Sequence, residues 1–238
     1  VVQALKSVNF SSLTLEDSAV FANLVQTLFP GVSGEKLQNV KQSEIIRSIC
    51  DSRLWEYDSI STSRWAEKLV NFLEICDVRH ALGLIGPSGS GKSSIMATCI
   101  EVISETKHIP QSVRKLNPKA IEVSQILGHY DALTSKWCEG IFTALWRKAT
   151  LNSNGGDWII FDGPVDSEWM ENLNSALDGT KVLTLANGDR LPVPEHLKIV
   201  LETDHLQHAS PAVVSRIGIV HVSSETLGYE PCVSSWVK

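Results

Sequence analysis

The sequence predicts a doubly wound α/β fold, five parallel strands with helices on both faces, preceded by a helical segment. Three observations predict it. A glycine-rich pattern of the phosphate-loop type, Gly86–Ser93 (GPSGSGKS), follows the apolar run Ala81–Ile85 and precedes a helix-compatible run from Ser94 to Ser104. A second apolar run, Trp158–Phe161, ends in an acid, Asp162. The runs Leu197–Leu201 and Ile217–Val222 are mainly apolar and read as buried core strands. At 238 residues the chain has room for one large domain or two small ones.

Residues 1–62 are expected to form a helical segment leading into an α/β core over 63–238. Leu15 to Leu28 carries Val20, Phe21, Leu24, Val25 and Leu28 near a 3.6-residue period, and Pro30-Gly31 stops it. A second helix is expected from about Ser33 or Gly34 to Cys50. A third spans about Ser63 to Cys76, with Trp65, Leu69, Phe72 and Ile75 on one face. Past the phosphate loop, Val113–Leu116 reads as a short strand ending at Asn117-Pro118, with a helix near Glu122–Leu127. Asp131 to Ala149 begins as a turn and becomes an amphipathic helix with Trp137, Ile141, Phe142, Leu145 and Trp146 as its apolar members. Tryptophans at that spacing are read as packing residues. Val182–Leu185 and Arg190–Val193 flank an Asn-Gly turn and predict a hairpin. Ser210-Pro211 opens a short helix ending at Ser215-Arg216, just before the last strand.

The chemistry concentrates in two segments. In the first, Gly86, Gly89 and Gly91 let the backbone bend so that N–H groups converge on phosphate oxygens, and Pro87, Ser88, Ser90 and Ser94 complete the loop. Lys92 is placed to reach the β- and γ-phosphates and the Ser93 hydroxyl to ligate Mg. The plainer alternative is a glycine-rich turn between strand and helix, which does not need both Lys92 and Ser93. In the second, Asp162 closes a strand taken to lie beside the phosphate-loop strand, where it can hold the metal's water shell. The alternative is an Asp that merely starts a turn. Leu28–Val32 contributes an apolar turn, and Pro30, Gly31 and Val32 are candidates for the wall of a base-binding slot, or a helix-ending turn with a buried Phe29. The expected ligand is ATP or ADP with Mg.

The residue after Asp162 is Gly163, followed by Pro164, so no carboxylate stands beside the metal-holding acid to activate water. A general base contributes about 10²- to 10⁴-fold, so binding with little turnover is expected. Asp166 and Glu168 lie past the Gly-Pro turn as possible substitutes.

A net charge of −6 with no basic run argues against nucleic acid as a partner, and no apolar stretch is long enough to span a membrane. The five cysteines, Cys50, Cys76, Cys99, Cys138 and Cys232, never stand as C-x-x-C and read as reduced thiols. The start, Val1-Val2-Gln3, lacks an initiator Met and a signal pattern, and the chain is read as part of something longer.

Taken together the chain resembles the second AAA+ module of a dynein heavy chain, closest to axonemal outer-arm chains. The resemblance is carried by Leu28–Val32 (LFPGV), the phosphate loop, Asn117–Ile121 (NPKAI), Gly140–Lys148 (GIFTALWRK) and Trp158–Asp166 (WIIFDGPVD). Glu171–Leu177 (ENLNSAL), Leu183–Leu191 (LTLANGDRL) and Ala209–Gly218 (ASPAVVSRIG) carry the rest. It implies an AAA+ large subdomain that binds ATP with little hydrolysis, within a ring whose principal hydrolysis lies at the boundary between first and second modules. It also implies that Arg216 is an arginine finger acting in trans on the preceding module's nucleotide. Neighbouring modules of the same chain and other dynein chains are the implied partners. Microtubule contact runs through a separate stalk, and the location is a cilium or flagellum axoneme. The resemblance places a γ-phosphate sensor just after Leu197–Leu201, where the usual Asn is missing and Asp204 and His205 are the candidates. Cys138-Glu139-Gly140 and Asp178-Gly179-Thr180-Lys181 depart from the family's usual Thr-Asp-Gly and Asp-Asp-Asn-Lys. The small helical lid is expected to lie beyond Lys238. A self-sufficient P-loop ATPase and a purely structural ring module with an empty site are the alternatives.

Overall fold

A computed structural model describes residues 9, 13, 15–29, 40–53, 64–152, 154–178, 180–224 and 226. Its parallel sheet contains β1 (Ala81–Ile85), β2 (Gln111–Leu116), β5 (Gly156–Asp162), β8 (Leu197–Thr203) and β9 (Gly218–His221), in the order β2-β5-β8-β1-β9. Two antiparallel hairpins stand apart from it: β3 (Gly128–Tyr130) with β4 (Trp137–Glu139), and β6 (Val182–Thr184) with β7 (Arg190–Pro192). The expected five-stranded α/β core is present.

One expectation about its order is corrected. The Asp162 strand does not lie beside the phosphate-loop strand: β8 runs between them, pairing Ala81–Ile85 on one side and Asp157–Asp162 on the other. Every residue of β8 except Lys198 is buried, as a central strand demands. Apolar runs buried on both faces are alike in pattern, so their order across the sheet is not written in composition.

The chain divides into two compact units. The first comprises Val1–Val78, Gly86–His108 and Ile219–Lys238. It holds α1 (Leu15–Leu28), α2 (Val40–Ser52), α3 (Arg64–Val78) and α4 (Lys92–Lys107). Ile46, Ile49 and Cys50 of α2 are buried, as are Trp65, Leu69, Phe72 and Ile75, the face expected of α3. Cys76 of α3 and Cys99 of α4 meet at 3.8 Å, and Arg53 ties α2 to α4 through Thr98 (3.0 Å) and Glu101 (2.6 Å). In α1 the expected stripe is largely uncovered: Val25 is buried while Val20, Leu24 and Leu28 are exposed. Pro30, Gly31 and Val32 lie outside the described residues.

The second unit, Arg79–Ile85 with Ile109–Gly218, is built on β5, of which only Asp162 escapes burial. Beside it run α5 (Val123–Leu127) and α6 (Ile141–Leu151), then the short turns α7 (Ser167–Met170), α8 (Asn174–Leu177) and α9 (Pro211–Val214). An aromatic chain binds helices to strand, Trp146 to Phe142 (5.4 Å between ring centroids), Phe142 to Phe161 (5.4 Å) and Phe161 to Trp169 (4.4 Å). The Trp146 indole donates to Pro192 O at 2.8 Å, so its polar edge is satisfied as burial requires. Trp137 was expected on this helix; instead it lies on β4, edge-on to Tyr130 across the hairpin at 5.3 Å. Strands of three residues are too short to show a period of two, so the sequence offered nothing to separate them from the helix.

Candidate phosphate-binding site

The phosphate loop lies wholly in the first unit. Gly86, Gly89 and Gly91 take φ of +153°, +79° and +92°, conformations open to glycine and strained for other residues. At Gly86 the requirement is also spatial, since a β-carbon there would sit 1.8 Å from Val222 O, a backbone atom. Gly91 caps α4, and Ile95 N–H donates to its carbonyl at 3.0 Å. The helix therefore begins at Lys92, two residues before the sequence placed it, and Lys92, Ser93 and Ser94 form its first turn, where the helix dipole favours an anion.

Lys92 is only 7% exposed, and its ammonium donates to Gly86 O at 2.5 Å and Pro87 O at 2.9 Å. A buried cation is costly unless hydrogen-bonded, and the loop's own carbonyls meet that need. Ser90 is buried, with an Oγ that has no hydrogen-bond partner among the described residues. Pro87, Ser88, Gly89 and Ser93 are exposed. Buried cation, positive-φ glycines, an orphaned hydroxyl and a helix start fit a polyphosphate, with Ser93 available to its metal ion.

Asp162 belongs to the second unit and stands at the carboxyl end of β5, about half exposed, with Lys115 Nζ 4.0 Å from its carboxylate. Gly163 follows at φ +146°, its N–H donating to Glu202 O at 3.0 Å. A β-carbon there would meet Asn117 Oδ1 at 3.2 Å and Pro118 Cδ at 3.5 Å. The absence of a carboxylate after Asp162 thus coincides with a backbone shape that resists one. Of the possible substitutes, Asp166 accepts from Glu168 N–H at 3.3 Å, capping the start of α7, and Glu168 is exposed.

The sensor candidates Asp204 and His205 are both exposed beyond β8, and His205 lends its carbonyl to the Thr203 hydroxyl at 3.1 Å. The acid that β8 buries is Glu202, in register with Asp162 on one neighbour and Leu84 on the other. The sequence reading passed over it. A charged residue inside an otherwise buried strand, one place before its end, was the available signal.

Arg216 lies just past α9, with a side chain 30% exposed. Its guanidinium is gripped by the Asp178 carboxylate through Nε and Nη2, the latter at 3.3 Å, and Nη1 donates to Ala212 O. The Asp178 departure segment therefore supplies a partner to the predicted finger, a link invisible across the 38 residues that separate them.

No cluster of His, Cys, Asp and Glu suited to a metal ion occurs among the described residues, and none of their helices is long and apolar enough to cross a membrane.

A family described as "Hydrolytic ATP binding site of dynein motor region" matches residues 1–93, and one described as "AAA domain (dynein-related subfamily)" matches residues 81–217. Over its whole length the chain is 40% identical to the dynein gamma chain of the flagellar outer arm of Chlamydomonas reinhardtii and 40% identical to dynein axonemal heavy chain 8 of Mus musculus. It is 33% identical to the ciliary dynein beta chain of Tripneustes gratilla. The chain spans only 5% of the length of each of these relatives. With more than half of its residues matched by the second description, the chain belongs to the dynein-related AAA family.

Proposed function

We propose that this chain is the second AAA+ module of an axonemal, outer-arm-like dynein heavy chain, binding ATP or ADP with little or no hydrolysis. In this reading residues 1–62 lead into the module and 63–238 form its nucleotide-binding core. Lys92 and the N–H groups of the loop hold the phosphates, Ser93 ligates Mg, and Asp162 orients the metal's water shell. Arg216 extends to the preceding module's nucleotide and stabilises charge developing there during hydrolysis. Neighbouring modules of the ring are its immediate partners, the microtubule is engaged through the parent protein's stalk, and the location is the axoneme of a cilium or flagellum.

The observation that carries the reading is Gly163: an intact phosphate loop is combined with a glycine, at φ +146°, where a water-activating acid would stand. Asp166, one of the two acids past the turn, is engaged as a cap. The chemistry left is binding and polarisation without proton abstraction, suited to a module that stiffens with nucleotide and closes its Arg216 edge on a neighbour.

The test is thermal unfolding of the chain with and without Mg-ATP, alongside phosphate release over hours. A ligand that binds only the folded state adds about 2.7 kcal/mol at a hundredfold excess over Kd. A raised Tm without phosphate release is expected. Steady turnover would remove the Gly163 argument and favour an independent ATPase; an unchanged Tm would favour the structural module.

A further inference from the structure

We propose that Asp178 is a positioning residue for Arg216, holding the guanidinium so that two of its N–H groups are presented together to a phosphate of the neighbouring nucleotide. The proposal rests on the reading of Arg216 as a finger acting in trans and adds how the finger is aimed.

A guanidinium has five N–H donors in a rigid plane. Three are engaged here: Nε to Asp178 Oδ1, one Nη2 hydrogen to Asp178 Oδ2 at 3.3 Å, and one Nη1 hydrogen to Ala212 O. The two that remain are one on each terminal nitrogen. Bidentate engagement of a phosphate uses a parallel pair of N–H groups, and the carboxylate has already taken the Nε–Nη2 pair. The grip leaves the terminal nitrogens to meet the phosphate.

The mounting on both sides of this pair is firm. Arg216 N–H and Ile217 N–H donate to Val213 O at 2.9 and 3.2 Å, and Arg79 donates to Arg216 O at 3.3 Å. Asp178 closes α8, its N–H bonded to Asn174 O at 3.0 Å, and accepts Lys181 N–H on its own carbonyl at 3.0 Å. Arg and Asp thus meet from two fixed turns, α8 and the end of α9. A long side chain held in one rotamer loses less entropy when it docks, and an orientation set in advance is what charge stabilisation in a transition state needs. Asp178 is itself 45% exposed, so the ion pair contributes little to folding, and its value is directional.

The test uses the dynein motor that contains this chain, with Asp178→Ala, Asp178→Asn, Arg216→Ala and the Asp178→Ala/Arg216→Ala double variant. Steady-state kcat and KM for ATP are measured in each, and melting curves report folding. Arg216→Ala is expected to lower kcat about 10³-fold. Asp178→Ala is expected to lower kcat about tenfold or more with KM nearly unchanged. Asp178→Asn, which keeps one acceptor, falls between Asp178→Ala and the parent. The double variant should match Arg216→Ala alone, because Asp178 acts only through the arginine. A multiplicative further loss in the double variant, or an undiminished kcat in both Asp178 variants, would overturn the positioning role while leaving the finger intact. An undiminished kcat in Arg216→Ala would overturn both. If Asp178→Ala melts early, the isosteric Asp178→Asn decides by the same measurements.

Discussion

Lys92 and Arg216 are the two cations on which the proposed function turns, and the structure holds them in opposite ways. Lys92 is buried and rests on neutral acceptors, the carbonyls of Gly86 and Pro87. Arg216 is partly exposed and rests on a full negative charge, the Asp178 carboxylate. On the proposed reading a phosphate displaces these carbonyls from the flexible ammonium, so Lys92 would change partners when nucleotide binds. A phosphate does not readily displace a side-on carboxylate from a planar guanidinium, so Arg216 keeps its grip and offers what remains. The first cation is arranged to change partners, the second to keep one and add another.

The largest expected effect tests whether the two cations serve different nucleotides. Arg216→Ala should cut the parent motor's ATP turnover about 10³-fold, yet leave the Mg-ATP-induced rise in Tm of this chain unchanged. Loss of both would place Arg216 at the same site as Lys92 and erase the contrast.

Lys92→Ala is next. It should abolish the Mg-ATP-dependent rise in Tm, worth about 2.7 kcal/mol at a hundredfold ligand excess. Isothermal calorimetry should show Kd weakened about 10²-fold, as loss of one or two hydrogen bonds to a charged group, at about 1.5–3 kcal/mol each, implies. A variant that still binds would mean that backbone N–H groups alone hold the phosphates.

Gly163→Glu restores the missing acid and is expected to fail as a catalyst. Its left-handed φ and the contact with Asn117 should cost about 1–3 kcal/mol, read as a lower urea midpoint. No gain in phosphate release should follow. A variant of unchanged stability that hydrolyses ATP would show that geometry had never been the obstacle.

The smallest effect is on pH. Burial, with Lys198 next in weight, holds the His80 pKa below its usual value, and burial with Lys68 does the same for His221. Each is favoured neutral in the folded state, so the unfolded chain takes up the proton first. Their contribution is present above the ordinary histidine value of about 6.5 and is lost as pH falls from there toward the lowered folded values. The His80→Gln/His221→Gln variant should show a flatter dependence of Tm on pH below neutrality.

Strong local signals survived into the structure wherever one residue type answers one physical demand. The glycines of the phosphate loop had to take positive φ, and Gly86 had to leave room for Val222 O. The α3 face was legible because four apolar residues recur at the helical period and nothing else about them competes. The parallel strands were legible because continuous apolar runs bounded by turns have few other uses. Gly163 likewise takes a positive φ that favours glycine.

What required tertiary structure was pairing over distance. The place of β8 between β1 and β5 is a matter of which strands pair, and two mainly apolar runs such as Trp158–Phe161 and Leu197–Leu201 do not state their order. In the β3–β4 hairpin Tyr130 and Trp137 pack edge-on across the strands, a long-range contact that local preference in three-residue strands does not announce. Glu202 is an acid beside Asp162 only once register brings them level. Asp178 holds Arg216 only because the end of α8 and the end of α9 converge. Composition and spacing determined which residues could bind phosphate; the folded chain decided which of its charges those residues face.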